Sequence, residues 1–320
     1  MLFSYVGEKE NKVQGKPTSS QGYISAFSAV LLWSFSGILI SYLSRDYNVP
    51  SFVIAFWSVL FVALGMFVGL SVFNRSLLRI DQSQLKFMIL YGFTFAVFHS
   101  TWTLSVQYNG AAVATFMVYS SPAVTAILSR WIFKENFNPI KILSIVLSLI
   151  GTVLISSAYD LSTWNLNWLG ILFGLLSSPF FAFYNLEGKY SSERSVNPWT
   201  ATLFCFTFAS VFLVFFNLGI DVLSNKSLLS DMLWLGSSIS GWAFLFLLGV
   251  GPTLGGFGLY TLSLRHLTPT VANLIATLEP AFTAIWAYLL LHEQMNGIQW
   301  TGSILILAGV ILLHWGEEAE

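Results

Sequence analysis

An acidic side chain stands beside a proline in the middle of a long apolar stretch, Thr268 to Asn296. If this stretch is helical, Glu279 lies about 16 Å from its start, close to the centre of a hydrocarbon layer about 30 Å thick. An ionisable group at that depth costs roughly 2.5–3.5 kcal/mol, which makes it a candidate functional group. Such a carboxylate can carry a proton or pair with an ammonium group on a solute. The structural alternative is that Glu279 bonds backbone groups that Pro280 leaves unpaired.

Other polar and aromatic side chains fall at a similar depth in apolar runs. They are Trp33, Ser34, His99, Trp102, Tyr119, Ser120, Tyr184, Asn185, Tyr260 and Asn273. Aromatic faces with a few polar groups suit an amphipathic solute, and we expect about half of the set to face a cavity. Taken singly, each is also explained by packing or by a hydrogen bond between helices. His99 is in addition a candidate proton relay with Glu279.

The composition shows what kind of chain must position these groups. Of 320 residues, 55% are hydrophobic and 9% are charged, whereas a soluble domain carries about 25% charged residues. The chain is therefore predicted to be an integral membrane protein. A net charge of −1 argues against a nucleic-acid partner. No metal-ligand spacing or phosphate loop is present, so the sequence predicts neither a metal nor a cofactor, and the lone Cys205 cannot form an internal disulfide.

Ten apolar runs are long enough to cross a membrane as helices. Their approximate limits are 22–43, 51–73, 87–107, 110–131, 139–158, 168–188, 198–219, 241–264, 269–291 and 297–315. The third and fourth runs are separated only by a turn signal, Tyr108-Asn109-Gly110. Residues 1–20 are polar and are predicted to be a cytoplasmic tail. With that tail inside, all but Arg45 and Lys226 of the 14 Lys and Arg fall on the inner side, which predicts a cell-membrane protein with both termini cytoplasmic.

The second half of the chain resembles the first after a shift of 158 positions. This shift pairs Pro122 with Pro280 and Glu135 with Glu293. The predicted fold is all-α, with ten transmembrane helices as two five-helix repeats, 21–159 and 167–315. Because five is odd, the second repeat enters the membrane from the opposite side, so the repeats are inverted, as in alternating-access transporters. Glu135 and Glu293 are predicted to be solvated carboxylates at helix ends. The alternative is that they hold the closed conformation at each end as latches.

Prolines and glycines mark places where the predicted helices break or bend. Pro122, Pro280 and Pro252 are predicted helix breaks, because proline removes a backbone donor. Gly251, Gly255 and Gly256 are a candidate hinge in the eighth span. Close helix packing is the alternative explanation for these glycines.

The chain is similar to the drug/metabolite transporter superfamily, in particular to ten-span EamA-type transporters. The resemblance rests on Phe133-Lys134-Glu135 after the Pro122 helix, Leu278-Glu279-Pro280-Ala281, Leu290-Leu291-His292-Glu293, Gln299-Trp300-Thr301-Gly302 and Ile306-Leu307-Ala308-Gly309-Val310. It covers nearly the whole chain. It implies a transporter, with the amino-acid and metabolite exporters as the most similar branch, and it does not identify the substrate.

Together these features predict a secondary transporter rather than an enzyme. The expected partners are the lipid bilayer and a small organic solute, most simply an amino acid or related metabolite moved outward, with protons as a candidate coupling ion. A drug or amine permease and a sugar permease are alternatives. No Lys or Arg falls in the middle of a span, which argues against phosphorylated substrates. An intramembrane lipid-modifying enzyme would need paired acids or an activated nucleophile, and a passive channel would need a less bulky lining.

Overall fold

The computed structural model describes residues 20–160, 167–223, 231–291 and 295–318, and every regular element within these residues is helical. The helices are α1 (Ser20–Asp46), α2 (Ser51–Phe73), α3 (Gln82–Val118), α4 (Ser121–Phe133), α5 (Pro139–Ile155), α6 (Trp168–Glu193), α7 (Pro198–Leu223), α8 (Ile239–Leu248), α9 (Leu254–Ser263), α10 (Pro269–Ala276), α11 (Glu279–Leu291) and α12 (Gly297–Glu318). The all-α prediction is confirmed. Apart from Ser20, the predicted tail lies outside the described residues, as does Glu293.

Seven of the described helical stretches are long and apolar enough to cross a membrane. They are Ser20–Asp46, Phe52–Phe73, Gln82–Val106, Trp168–Glu193, Pro198–Gly219, Ile239–Ser263 and Gly297–Gly316. The remaining predicted spans correspond to shorter helices, among them α5 and the paired short helices α10 and α11. Large apolar side chains cover the outer surface, and Trp131, Trp168 and Trp315 are exposed near helix ends. Tryptophans in such positions are typical of membrane interfaces.

The predicted turn between the third and fourth runs does not interrupt the helical backbone, because α3 continues from Gln82 to Val118. The chain nevertheless reverses direction within α3. Ser105 and Met117 both pack against the backbone of Gly174, although a straight helix would hold them about 18 Å apart. The reversal therefore falls between these two residues, where the turn is predicted, and helical hydrogen bonding persists through it.

Asn109 fixes this reversal against the second repeat. Its side-chain amide donates to the carbonyl oxygen of Asn167 at 3.2 Å, and its side-chain oxygen accepts from the backbone N–H of Asn167 at 3.2 Å. Asn167 is also the residue before α6, where its side chain accepts from the backbone N–H of Leu169. One pair of asparagines thus joins the bend in α3 to the start of α6.

Each repeat contains one helix that is interrupted and restarts with a proline in its first turn. Val118 ends α3, and α4 begins at Ser121 with Pro122 next. In the second repeat, α10 ends at Ala276 and α11 begins at Glu279. Proline is tolerated in the first turn of a helix because its missing N–H would have no partner there. Both prolines therefore stand where a helix restarts.

The third predicted break lies between α8 and α9, where Gly249–Thr253 forms one wide turn of π-helix that contains Pro252. Wide turns of this kind bulge a helix locally. Of the candidate hinge residues, Gly251 has open surroundings, with only the Leu247 side chain near, whereas Gly255 packs on Leu32 and Gly256 packs on the ring of Trp33. Close packing accounts for the last two, and the hinge remains a prediction.

The fifth helices of the two repeats, α5 and α12, meet backbone to backbone. A methyl group on Gly151 would lie 2.6 Å from the carbonyl oxygen of Gly302, and a methyl group on Gly302 would lie 2.7 Å from that of Gly151. Only glycine allows two helices to approach this closely. This contact joins the repeats without any intervening side chain.

The two ends of the helix bundle differ in charge. One end, called the basic end, is where α1 begins, α6 ends and α10 begins, since Gly22 and Lys189 both contact Leu267. Of the Lys and Arg in the described residues, all but Arg45 lie at this end. They are Arg75, Arg79, Lys86, Arg130, Lys134, Lys141, Lys189, Arg194 and Arg265. At the opposite end, Tyr47 after α1 donates to Ser240 at the start of α8.

Candidate functional site

A cavity of about 960 Å³, including the space at its open mouth, lies between helices of both repeats. Its lining extends from the middle of the bundle toward the opposite end. Trp33 and Glu279 mark its floor, and Ile40 and Ile54, near the end of α1 and the start of α2, mark its upper part. The lining does not extend into the half of the bundle next to the basic end.

Five of the eleven predicted lining residues face this cavity. They are Trp33, His99, Trp102, Tyr119 and Glu279. The sequence did not single out three further aromatic residues of the lining, Phe98, Phe181 and Phe257, because phenylalanine is frequent throughout the apolar runs and carries no polar group that would draw attention. Small hydroxyl side chains complete the polar part of the lining.

Glu279 is the only charged side chain among the described lining residues. It begins α11, so its carboxylate stands at the positive end of a helix dipole. The hydroxyl of Tyr119 donates a short hydrogen bond to its carboxylate. Tyr119 directly follows α3 in the first repeat, and this bond therefore links the two interrupted helices at the floor of the cavity.

Two ring nitrogens of the lining have no hydrogen-bond partner among the described residues. They are Nε1 of Trp33 and Nε2 of His99, and both are buried. Buried polar atoms are normally paired, so these two nitrogens are candidate partners for a solute once neighbouring side chains shift. Nε1 of Trp33 packs against Gly256 in this state. The indole N–H is a donor, and the imidazole nitrogen is a donor or an acceptor according to its tautomer.

The other six predicted lining residues lie outside the cavity lining and bond between or within helices. Ser34 donates to the carbonyl oxygen of Leu31 at 2.7 Å and accepts from Nε1 of Trp286 at 2.9 Å. Ser120 bonds to Ser178 at 2.8 Å. These hydroxyls satisfy buried backbone and indole groups, which is the packing alternative that the sequence left open.

Three of the six make buried hydrogen bonds just below the cavity floor. The Tyr260 hydroxyl donates to the side-chain oxygen of Asn185 at 2.5 Å, and the Tyr184 hydroxyl bonds to Thr261 at 3.3 Å. The amide of Asn185 donates back to the carbonyl of Phe181 at 2.7 Å. Their polar groups are thus bonded within the protein rather than presented to a solute.

The sixth, Asn273, joins the two interrupted helices from the other side. Its amide donates to Ser121 at 3.1 Å and to Thr125 at 2.7 Å. Ser121 is the residue of the first repeat that corresponds to Glu279. Asn273 on α10 therefore holds α4 by its first turn, and its role is interhelical.

Glu135 forms the densest polar cluster among the described residues, and it lies at the basic end. Lys134, the residue after α4, has a left-handed conformation with φ of 54°, which turns Glu135 back toward α4. The carboxylate accepts from Ser129 at 2.5 Å and forms an ion pair with Lys141 at 3.0 Å. The Glu135 side chain is only 6% exposed, so the expectation of a solvated helix end is wrong for this residue.

The same carboxylate also binds the second repeat. The hydroxyls of Thr268 and Thr270, at the start of α10, each donate to it at 2.8 Å. Glu135 therefore joins the α4–α5 corner of the first repeat to α10 of the second. Its spacing of more than 130 residues from these threonines explains why the sequence did not reveal the pairing.

Another deeply buried acid, Glu187, lies outside the cavity, and the apolar pattern of the sequence did not reveal it. The sixth span was predicted to end at residue 188, which placed Glu187 at its rim, whereas α6 continues to Glu193. Glu187 is 6% exposed. The small and aromatic residues on either side of Glu187 in the sequence indicate a buried segment of helix rather than one at the membrane surface.

These helices and this cavity define a multi-pass, all-helical membrane protein built from two repeats. The EamA-like transporter family matches residues 20–157 and 168–315. The chain belongs to this family, as the resemblance predicted.

Several relatives share most of their length with this chain. The chain is 24% identical to an uncharacterized inner membrane transporter, YicL, of Salmonella typhimurium over 92% of this chain and 96% of the relative. It is 27% identical to an uncharacterized transporter of Archaeoglobus fulgidus over 68% and 72%. A solved crystal structure has a TM-score of 0.72 at 16% identity, covering 92% of this chain and 96% of the other, which shows a shared fold.

Proposed function

We propose that this protein is a secondary transporter that binds a small organic solute, most simply an amino acid or related metabolite, in the central cavity. The observation that carries the proposal is the polar content of the cavity floor. One carboxylate, Glu279, stands among aromatic rings together with the unpaired nitrogens of Trp33 and His99. An aromatic wall with a few polar groups is typical of a specific ligand site.

An amino acid has complementary groups for this floor. Its ammonium group would pair with the Glu279 carboxylate, and its carboxylate would accept from the N–H groups of Trp33 and His99. The described lining contains no Lys or Arg, which does not favour a phosphorylated solute. The bulky aromatic residues would hold the apolar part of the substrate.

Alternating access is supported by the difference between the two ends of the cavity. The lining reaches toward the opposite end, while at the basic end Glu135 ties the two repeats together. If the repeats are inverted, as their odd number of spans predicts, a second state exists in which the roles of the two ends are exchanged. Breaking the Glu135 contacts would accompany that exchange.

Orientation follows from the charges at the basic end. Lys and Arg are enriched on the cytoplasmic side of membrane proteins, so the basic end would face the cytoplasm of a cell-membrane protein and the cavity would face outward. Both termini would be cytoplasmic. Export of the solute is proposed from the resemblance to metabolite exporters.

An organic amine is the second candidate substrate, and the aromatic rings beside the single carboxylate favour it. Trp33 and Trp102 offer faces that attract cations, and an amine needs no partner for a carboxylate. The carboxylate of an amino acid would need the two ring nitrogens as donors, whereas an amine has no such group. Trp33→Phe removes one of these donors and should therefore weaken binding of an amino acid but not of an amine.

Counterflow in proteoliposomes tests the proposal. Proteoliposomes that contain the purified protein are loaded with unlabelled solute. Uptake of labelled amino acids, amines and sugars is then measured at equal pH on both sides. We expect saturable uptake of one amino-acid class, with weaker uptake by Trp33→Phe. Uptake of amines alone, unaffected by Trp33→Phe, would favour the second candidate, and no uptake of any class by folded protein would refute the transporter.

A further inference from the structure

Glu187 on α6 is a buried acid that does not line the cavity. Its side chain lies between α6, α3 and α7, and the residue is 6% exposed. The hydroxyl of Thr94 on α3 donates to one carboxylate oxygen, Oε1, at 3.1 Å. The other oxygen, Oε2, has no hydrogen-bond partner among the described residues. Half of this carboxyl group is therefore buried and unsatisfied.

No described positive charge compensates Glu187. Lys189, two residues along α6, instead donates to the carbonyl oxygen of Leu267 at 3.1 Å. On the neighbouring helices, Lys86 of α3 is exposed and Arg130 of α4 stacks on Phe137. The ion pair at Glu135 engages Lys141. A bare carboxylate at this position would lack a counter-charge.

The titratable groups that face Glu187 are neutral proton carriers. On α3 this is Tyr91, whose buried hydroxyl makes no hydrogen bond within the described part of the chain, and on α7 it is Cys205, whose thiol lies 3.7 Å from the carbonyl oxygen of Tyr91. The Tyr91 hydroxyl packs against Gly188, the residue next to Glu187. On α6 itself Tyr184 is bonded to Thr261, and α10 contains no titratable residue. An uncompensated charge buried in this way is avoided by binding a proton.

The position of Glu187 relates it to the transport path. Phe181 on α6 lines the cavity floor, and Glu187 lies six residues further toward the basic end, which corresponds to about 9 Å along the helix. Between them are the buried hydroxyls of Tyr184 and Tyr260 and the amide of Asn185. Glu187 thus lies in the closed half of the bundle, between the cavity and the basic end.

We propose that Glu187 is a proton-binding site, separate from the substrate cavity, that is loaded while the basic end is closed. In this state the group is the neutral carboxylic acid. When the basic end opens, water reaches the group, the O–H bond ionises, and the proton passes to water at the basic end. After the basic end closes, the carboxylate takes a proton from water in the cavity by way of the hydroxyls of Tyr184 and Tyr260. The chemistry is proton binding and release alone. The inference rests on the proposed alternating access, because the proton must be exchanged with one side at a time.

Infrared spectroscopy of the purified full-length protein tests the bound proton directly. A protonated carboxyl group has its own carbonyl-stretch band, distinct from carboxylate. We expect the band of the wild type to lose one group's intensity in Glu187→Gln, which keeps the shape and the acceptor for Thr94. Glu193→Gln, on the exposed end of the same helix, is the matched control and should leave the band unchanged. Equal bands in wild type and Glu187→Gln would overturn the proposal.

A second variant covers the case in which Glu187→Gln does not fold. Glu187→Asp keeps the acid but moves it, so the band should shift in frequency. An unshifted band would contradict the assignment. Glu135→Gln should open the basic end and hydrate the Glu187 carboxyl group. The band of the protonated group should then disappear at lower pH than in the wild type. If the band disappears at the same pH in both proteins, proton release at the basic end is refuted.

Transport measurements show whether the bound proton is used. A one-unit pH difference can drive about a tenfold accumulation of solute per coupled proton. We expect Glu187→Gln to lose this accumulation while retaining counterflow at equal pH, and Glu193→Gln to keep both. Full accumulation by Glu187→Gln would overturn coupling at Glu187. Failure of the carrier proposal is distinguishable, because it would abolish counterflow in the wild type without affecting the infrared band.

Discussion

The basic end and the floor of the cavity use carboxyl groups in opposite ways. At the basic end, Glu135 accepts from four side chains, two in each repeat, and its charge is balanced by Lys141. At the floor of the cavity, Glu279 is bonded by Tyr119 and faces a space with room for a solute. The Glu135 carboxylate, with four side-chain donors, ties the repeats together at the basic end, whereas the Glu279 carboxylate, with one, can still bind a solute.

This difference shows how the chain can hold its basic end together and still keep a carboxylate free to bind a ligand in the cavity. A buried ion pair that keeps its hydrogen bonds is costly to break, because removing one partner leaves the other charge unpaired. A carboxylate that lacks a cation gains from a ligand that supplies one. Variants that remove or enlarge this difference between Glu135 and Glu279 test it.

The largest effect is expected from Glu135→Gln. This change leaves Lys141 buried without its counter-charge, which costs about 3–5 kcal/mol. We expect the basic end to open, and the amides at the start of α10 to exchange hydrogen for deuterium much faster than in the wild type. Hydrogen–deuterium exchange with mass spectrometry measures this.

A double variant provides the control for that prediction. Glu135→Gln with Lys141→Met removes both charges, and most of the protection of α10 should return, because no unpaired charge remains. Protection that stays low in the double variant would show that the hydrogen bonds to the threonines, and not the ion pair, close this end.

The next effect concerns substrate affinity. Glu279→Gln keeps an acceptor for Tyr119 but removes the negative charge, and a hydrogen bond to a charged group contributes about 1.5–3 kcal/mol. We expect binding of an ammonium-bearing solute to weaken by roughly 10- to 100-fold, measured as the concentration for half-maximal counterflow. An unchanged affinity would assign Glu279 the structural role. Glu193→Gln, outside the cavity, serves as control.

A smaller effect is expected at the wall of the cavity. In Gly256→Ala the new methyl group would meet the ring of Trp33, and overpacking of this kind costs about 1–3 kcal/mol. Displacement of Trp33 should lower both the thermal stability and the solute affinity. Gly69→Ala, where nothing lies within 4 Å, should change neither, and equal losses in both variants would rule out a specific contact.

The smallest effect is expected from Thr270→Val. It removes one of four donors to Glu135, at a cost of about 1 kcal/mol because the other three remain. Exchange at the start of α10 should rise severalfold. Thr207→Val, whose hydroxyl bonds only within α7 at 2.7 Å, should leave exchange at α10 unchanged; the same increase in both variants would deny Thr270 a role in closing the basic end.

Local pattern was sufficient to predict the helices, since apolar runs and prolines depend on near neighbours in sequence. The hydropathy of Ile239 to Ser263 predicts a span, and Pro122 and Pro280 mark places where helices restart. The reversal inside α3 was predicted as a turn between helices. Its helical backbone could not be foreseen, because it depends on the asparagine pair formed with the start of α6.

The site was only partly predictable, because hydropathy gives depth but not direction. Trp33 and Ser34 are neighbours at the same depth, yet one faces the cavity and the other holds Trp286. Direction depends on which helices pack together, and that depends on contacts far apart in sequence. Glu135 shows the same limit, since its partners on α10 lie in the other repeat.

The backbone contact of Gly151 with Gly302 has a mechanical consequence. Two helices that touch without side chains between them cannot slide or separate without losing the fit, but they can tilt slightly against each other. If one repeat rocks on the other, this contact is the pivot of the rotation. Helices far from it would travel farthest for the same small tilt, so the protein could close one end and open the other while α5 and α12 stay almost still.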